Sequence, residues 1–419
     1  MGFMLRLVVM KKMKFKVVTL GCRTNQYESE SYVDQLKKMG FIEALEGEEA
    51  ELCIVNTCTV TQSADSHSRQ QIRSLKRKNP HAKLVVTGCM VESHRKDLEK
   101  MSEVDLLVPN QKKEELLSFV FPEEVIPEFG LTESSSHTRA FVKIQDGCSS
   151  FCTYCILPYV RGRSRSRKVP DILEEIQRLI QHGKKEVVLT GINVGDFDGA
   201  NSVRLVDLVK QVDKLEGLER VRISSIDPDE VDEELLEAVV FGKKTCHSMH
   251  IVLQSGSNVI LKRMNRKYTK QIFLNTVERL KKSAPDFTFT TDVIVGFPGE
   301  TEEDFEETME VIEEVGFAKV HMFPYSERER TRAALYPNKV PKSVIAERKQ
   351  KVLRLSEKRA FDLRDRYVGR KMEVLLEGPS SGYTGNFLPV DLLSQGAPNQ
   401  LMAVEIVSNS PEGLKGRIV

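Results

Sequence analysis

Three cysteines fall within eight residues, Cys148, Cys152 and Cys155, in the stretch DGCSSFCTYC. A zinc ribbon needs a second Cys or His pair at a fixed distance, usually after a C-x2-C knuckle. Here C-x3-C-x2-C stands alone, after a strand-like run. Three thiolates bind a 4Fe–4S cluster and leave one iron without a protein ligand. Such an iron can chelate a small molecule, as open catalytic metal sites do and closed structural ones do not. The competing readings are a zinc site or three core thiols.

Three further cysteines share another context. Cys22 ends VVTLGC, Cys58 ends CIVNTC and Cys89 ends LVVTGC, each just past an apolar run. In a parallel sheet the carboxyl ends of the strands gather on one edge, the usual place for a ligand. Three thiolates meeting there suit a second open cluster, whereas three unrelated buried cysteines are the plain alternative. Cys53 and Cys246 lack such a setting. A Cys/His metal site at Cys246, beside His247 and His250, is weaker than a core role.

The elements that must position these thiols are legible as α/β. KFKVVTL (14–20), LCIVNT (52–57) and KLVVTG (83–88) are β-branched runs separated by polar helical stretches, a parallel βαβ pattern. TESSSHTR (132–139) reads as a linker. From Phe141 six strand-like runs recur with helical segments between them: AFVKIQ, KEVVLTG, RVRISSI, SMHIVLQ, FTFTTDVIVGF and AKVHMFPY. Six βα units make an incomplete (β/α)6 version of the eight-unit barrel, with chemistry at the C-terminal strand ends. A charged helix over about 341–366 follows. The tail (GRKMEVLLEG, GYTGNFLPVDLL, LMAVEIVS) reads as a small carboxy-terminal β-barrel. The expected domains are 14–125, 139–366 and 367–419.

With 419 residues and a net charge of +1, the chain is no globally basic binder; nucleic-acid contact must come from local patches. Eight cysteines at this length do not suggest a secreted disulfide scaffold. The opening MGFMLRLVVMKKMKFKVV has its lysines after the apolar run, which argues against a signal peptide, and Met10 or Met13 would serve equally as a start. Arg6 stands where a myristoylation signal needs Ser or Thr. No run is long enough to span a membrane, so the cytoplasm is the expected location.

Taken together, GCRTNQYESE, IVNTCTVT, VVTGC, FVKIQDGCSSFCTYC, RGRSRSR, LQSGSNVILKRMNRKY and TDVIVGFPGETEEDF resemble the methylthiotransferases of the radical S-adenosylmethionine superfamily. GCRTNQYES and MFPYSERERT look most like the branch acting on N6-threonylcarbamoyladenosine beside the anticodon of tRNA; the isopentenyladenosine and ribosomal-protein branches are the alternatives. The resemblance implies that Cys148, Cys152 and Cys155 hold the cluster that cleaves S-adenosylmethionine. It implies that Cys22, Cys58 and Cys89 hold an auxiliary 4Fe–4S cluster for sulfur delivery, and that the tail is a TRAM RNA-binding barrel. It also implies a reducing electron donor, leaves the sulfur source open, and marks Gly191, Asn193, Ser225 and Gln254 as S-adenosylmethionine contacts. C2 of adenine bears no acidic proton, so a radical cofactor must activate it. The departures are Arg330 where the family has Gly, Val252 where it has Pro, and Met90-Val91-Glu92 where it has Tyr-Ala-Gln. A non-catalytic iron–sulfur or zinc RNA-binding protein is the reading from another class.

Arg161, Arg163, Arg165 and Arg167 alternate after the cluster motif, so an extended segment would present all four on one face as a phosphate rail. KRMNRKYTK (262–270) is a weaker basic patch. Tyr383 and Phe387 are candidates for stacking on bases. His67, His81, His182 and His321 read as surface or core residues.

Overall fold

The computed structural model describes residues 13–132, 138–199 and 203–419; most of the expected linker, 133–137, lies outside them, as do Arg6 and Met10. The chain forms two compact units. One runs up to Thr59 and resumes over Ser63–Leu131, and the other takes Val60–Gln62 and Thr132–Val419.

In the first unit, β1 (Lys14–Thr19), β2 (Ile42–Glu43), β3 (Leu52–Thr57), β4 (Lys83–Gly88) and β5 (Leu106–Leu107) form one sheet. Its order is β2-β1-β3-β4-β5, and every pairing is parallel. Every residue of β3 is buried, as a central parallel strand covered on both faces requires. Leu52 and Ile54 join a core with Tyr32 and Leu36 of the helix Arg23–Lys38, while Cys53 and Val55 face Ile72 and Leu75 of the helix Gln62–Lys78. Cys53 is therefore a core thiol, and burial pushes its pKa up to about 11. The edge strands β2 and β5 have two residues each, too few to leave a periodic signal.

In the second unit the six long strands are β6 (Arg139–Lys143), β9 (Glu186–Thr190), β10 (Arg220–Ile226), β11 (Thr245–Ile251), β12 (Thr288–Val295) and β13 (Lys319–Pro324). They lie side by side in chain order, all parallel, as an open half-barrel. The pair β7 (Gln145–Asp146) and β8 (Arg165–Ser166) closes the loop that carries the three clustered cysteines. A helix over Lys342–Asp365 leads to β14 (Lys371–Gly378), β15 (Ser381–Thr384), β16 (Pro389–Leu392), β17 (Leu401–Asn409) and β18 (Leu414–Ile418). These form a closed barrel in the order β14-β15-β16-β18-β17, and β18 is the barrel strand that the sequence runs did not cover.

The small barrel packs on the amino-terminal ends of the half-barrel strands. Glu186, at the start of β9, is fully buried and gathers Arg222 at 2.6 Å, Arg220 at 3.9 Å and Arg139 at 4.0 Å. The same arginines reach across. Arg220 donates to the carbonyls of Glu373 and Tyr383, and Arg222 to those of Thr384 and Gly385. Tyr383 and Phe387 stack on each other with centroids 4.9 Å apart, and the Arg139 guanidinium lies over both rings. Both rings are thereby part of this junction.

Removing Arg222 would strip the closest cation from a buried carboxylate and two hydrogen bonds from the junction. Arg222→Ala is expected to cost about 3–5 kcal/mol and to expose the 367–419 barrel to protease. Denaturant unfolding and limited proteolysis check this.

Candidate cluster and cofactor site

A buried carboxylate sets the geometry of the cysteine loop. Asp146 accepts from Arg161 at 2.8 Å, Arg165 at 3.0 Å and the Gly147 N–H at 2.8 Å, with Lys143 at 3.8 Å. Gly147 sits at φ +72°, and a Cβ there would lie 2.2 Å from the Arg163 carbonyl oxygen. Only glycine allows that close approach. The loop closes with the Cys148 N–H donating to Gly162 at 3.1 Å. Thr153 is held by the carbonyls of Met264 and Arg263, which fixes the second half of the motif.

This geometry corrects the expected arginine rail. Arg161 opens a turn after a short helix, is buried, and is bound to Asp146. Arg167 is bound to Glu175 at 2.5 Å. Arg163 lies over the Phe151 ring, and Arg165 reaches Asp146. Only Arg163 and Arg165 are exposed. Buried carboxylates, which the alternation could not reveal, draw the other two inward.

Cys148, Cys152 and Cys155 line one cavity of about 240 Å³, together with Ile192, Asn193, Ser225, Asp227, Val252, Gln254, Arg266, Asp292, Ile294 and Tyr325. Three of the four expected cofactor contacts are therefore brought to the thiols. Gly191 is not among the lining residues. A Cβ on it would meet Gln145 Oε1 at 2.7 Å, and that oxygen accepts the N–H groups of Ile192 and Asn193. Gly191 shapes the turn that presents Asn193. Glu230 holds the Asn193 amide nitrogen at 2.9 Å.

The donor set suits a cluster with a ligand. Among the described residues no three His, Cys, Asp or Glu side chains converge on one ion-sized point. A 4Fe–4S cluster spreads its thiolates over separate irons. Burial pushes the thiols of Cys148 and Cys155 up, so their protons need an incoming cation to leave. Arg266 donates to Cys152 Sγ at 2.9 Å and is itself bound to Asp227. Gln254 stands at φ +62° with its Oε1 buried and unpartnered, as a ligand-facing amide would be. Arg266 was legible only as part of a basic patch; its reach to a cysteine more than a hundred residues away leaves no local pattern.

In the amino-terminal unit, Cys22, Cys58 and Cys89 follow β1, β3 and β4, three adjacent strands, at their common carboxyl edge. A Cβ on Gly21 would lie 2.8 Å from Cys58 Sγ, so the turn before Cys22 packs against that thiol. Asn25 donates to the carbonyls of Leu20 and Thr57 and ties the first two turns together. Cys22 is the N-cap residue of the helix Arg23–Lys38, so the helix starts at the thiol.

Cys246 is buried and lies near Arg222 and Glu186. His247, its neighbour in the strand, instead contacts Asp286 at 3.0 Å and the Val240 carbonyl. Strand alternation separates the two, so they form no joint metal site. Arg330, where the resemblance leads one to expect glycine, adopts φ +68°, the conformation glycine takes without cost.

A half-barrel of six parallel strands with a cysteine-lined cavity at its carboxyl end is the fold and site of a radical S-adenosylmethionine enzyme. Residues 142–312 match the Radical SAM superfamily, and residues 14–109 match the Uncharacterized protein family UPF0004. The chain is 47% identical over 414 residues to threonylcarbamoyladenosine tRNA methylthiotransferase MtaB of Chlamydia pneumoniae, covering 97% of this chain and 98% of that one. It is 38% identical to the tRNA-2-methylthio-N(6)-dimethylallyladenosine synthase of Caldicellulosiruptor saccharolyticus, covering 88% and 83%. The chain belongs to the tRNA methylthiotransferase family. Among solved structures, the radical S-adenosylmethionine methyltransferase TsrM of Kitasatospora setae shares the fold, with a TM-score of 0.55 at 13% identity over 77% of each chain.

Burial, with the charge of Asp227 beside it, pushes the Glu230 carboxyl from its ordinary 4.5 up to about 7. Between those values the native state keeps a proton that the unfolded chain has lost. Stability therefore falls as pH rises through this window, by at most about 3 kcal/mol, and levels off above it. Glu230→Gln should flatten that slope, as read from denaturant midpoints across the window.

Proposed function

We propose that this chain methylthiolates C2 of N6-threonylcarbamoyladenosine next to the anticodon of tRNA, giving the 2-methylthio derivative. The observation that carries the substrate is the 47% identity over nearly the whole chain to a relative named for threonylcarbamoyladenosine, against 38% for one named for the dimethylallyl nucleoside. The isopentenyladenosine nucleoside is the second reading, favoured by the latter relative.

Cys148, Cys152 and Cys155 would hold a 4Fe–4S cluster, with S-adenosylmethionine against Asn193, Ser225 and Gln254. When bound, they supply the radical chemistry that an unacidic C–H bond demands. The chain's own part is positioning. Asp146 fixes the cysteine loop, Arg266 sets its positive charge against Cys152 Sγ, and the apolar Val252 and Ile294 help exclude water. Cys22, Cys58 and Cys89 would hold the second cluster, supported by their common sheet edge. Arg163 and Arg165, both exposed, remain as phosphate contacts, and the 367–419 barrel as an RNA-binding module. A one-electron donor is required, and tRNA as substrate supports a cytoplasmic location. Among the described residues no helix is long and apolar enough to cross a membrane.

In a host lacking the modification, nucleoside mass spectrometry should show 2-methylthio-threonylcarbamoyladenosine only when this gene is present. A methylthio-isopentenyl nucleoside instead would move the substrate to the second reading. In vitro, Cys152→Ala should abolish release of 5′-deoxyadenosine. Cys58→Ala should retain that release while losing the methylthio product; an unchanged yield of product would remove the role of the second cysteine set.

A further inference from the structure

Two carboxylates line the cavity, and they are not equivalent. Asp227 is bound to Arg266. Asp292, on β12, has only His250 within ion-pair distance among the described residues, with Nε2 3.4 Å from Oδ1. His250 is held from its other side by Thr290, with Nδ1 2.9 Å from the hydroxyl. Strand register places these groups together. His250 pairs with Thr290 and Asp292 pairs with His321, so all four side chains share one face of the sheet. The backbone of Asp292 also accepts the Gln254 N–H at 2.8 Å, which seats the two cavity side chains on one rung. One strand further, Tyr325 lines the same cavity with its hydroxyl buried and unpartnered.

We propose that Asp292 accepts the one exocyclic N–H that an N6-monosubstituted adenine retains, and that His250 is its positioning residue. A carboxylate can only accept, and the base edges of adenine carry acceptors at N1, N3 and N7 but a donor only at N6. The N6–H is thus the only base-edge group Asp292 can read. C2 and C6 both adjoin N1, so a base whose C2 faces the reacting groups brings N6 close by. An adenosine drawn out of its loop into an enclosed pocket is commonly read along this Watson–Crick edge. The buried Tyr325 hydroxyl supplies the complementary donor for a ring nitrogen. The inference rests on the reading that the adenosine enters this cavity, but not on which N6 substituent it carries.

The test uses the full chain with reconstituted clusters and an anticodon stem-loop RNA bearing N6-threonylcarbamoyladenosine, alone or with an added N6-methyl group that removes the last N–H. Asp292→Ala should raise the KM for the unmethylated RNA about 10–100-fold, the range of a hydrogen bond to a charged group. Release of 5′-deoxyadenosine without RNA should fall by a smaller factor than kcat/KM for the RNA, because the contact is to the base. The wild type should discriminate against the methylated RNA by a similar factor, and Asp292→Ala should not discriminate at all. His250→Ala should raise the KM by a smaller factor. Asp292→Asn, checked for iron content, keeps the side-chain volume and should lose affinity in the same direction. An unchanged KM, or discrimination that survives in Asp292→Ala, overturns the proposal. Equal loss of RNA-free S-adenosylmethionine cleavage also overturns it, because the contact would then be to the cofactor. If the wild type ignores the threonylcarbamoyl RNA but modifies the isopentenyl one, the substrate reading falls. The same cycle on isopentenyl RNA and its N6-methyl analogue then decides the role of Asp292.

Discussion

Asp146 is the interaction on which the cysteine site depends. A motif of three thiols on a loop has no reason to stay open. The loop must be tied at both ends, or the thiols collapse into the core or drift into solvent. Asp146 ties it by gathering Arg161 and Arg165 from the far end of the loop, with Lys143 nearby. Several cations on one buried carboxylate offset its desolvation, which a single partner often fails to do. The glycine at 147 then lets the two sides of the loop touch.

The inner face of the half-barrel is polar along much of its length, unlike the packed apolar interior of a closed eight-strand barrel. At the amino-terminal end, Glu186 and three arginines bind the small terminal barrel. Further along lie Thr290 and His250, and at the carboxyl end Asn193, Gln254 and Asp292 meet the cysteines. Buried polar groups on this scale persist only where each has a partner. The orphaned atoms are informative for that reason: Gln254 Oε1 and the Tyr325 hydroxyl both lie on the cavity.

Much of the architecture was legible in the sequence. The three long strands of the amino-terminal sheet read as continuous β-branched runs, as parallel strands buried on both faces do, and the six of the half-barrel were found close to their observed bounds from strand-like runs recurring between helical segments. β2 and β5 were too short to read, and β18, LKGRI, carries too little apolar pattern. Side-chain partners were a different matter. Alternation would put all four arginines on one face of an extended segment, yet Arg161, Arg165 and Arg167 pair with carboxylates, and Arg161 is fully buried. Tyr383 and Phe387 were candidates for stacking on bases, with burial in the small barrel the alternative; each lies on the other, with Arg139 over both rings.

The sequence by itself determined the six cysteines, their placement past strand ends and the α/β order of the chain, since local spacing and hydrophobic period encode these directly. Only the tertiary structure decided which charges face the cavity and which neutralise one another. Arg266 meets Cys152 and Asp227, and among the described residues Asp292 has His250 as its one ion-pair partner, through strand register and loop closure. Those contacts join residues far apart in the chain, and no short-range pattern can record the pairing of a charge with a partner so distant.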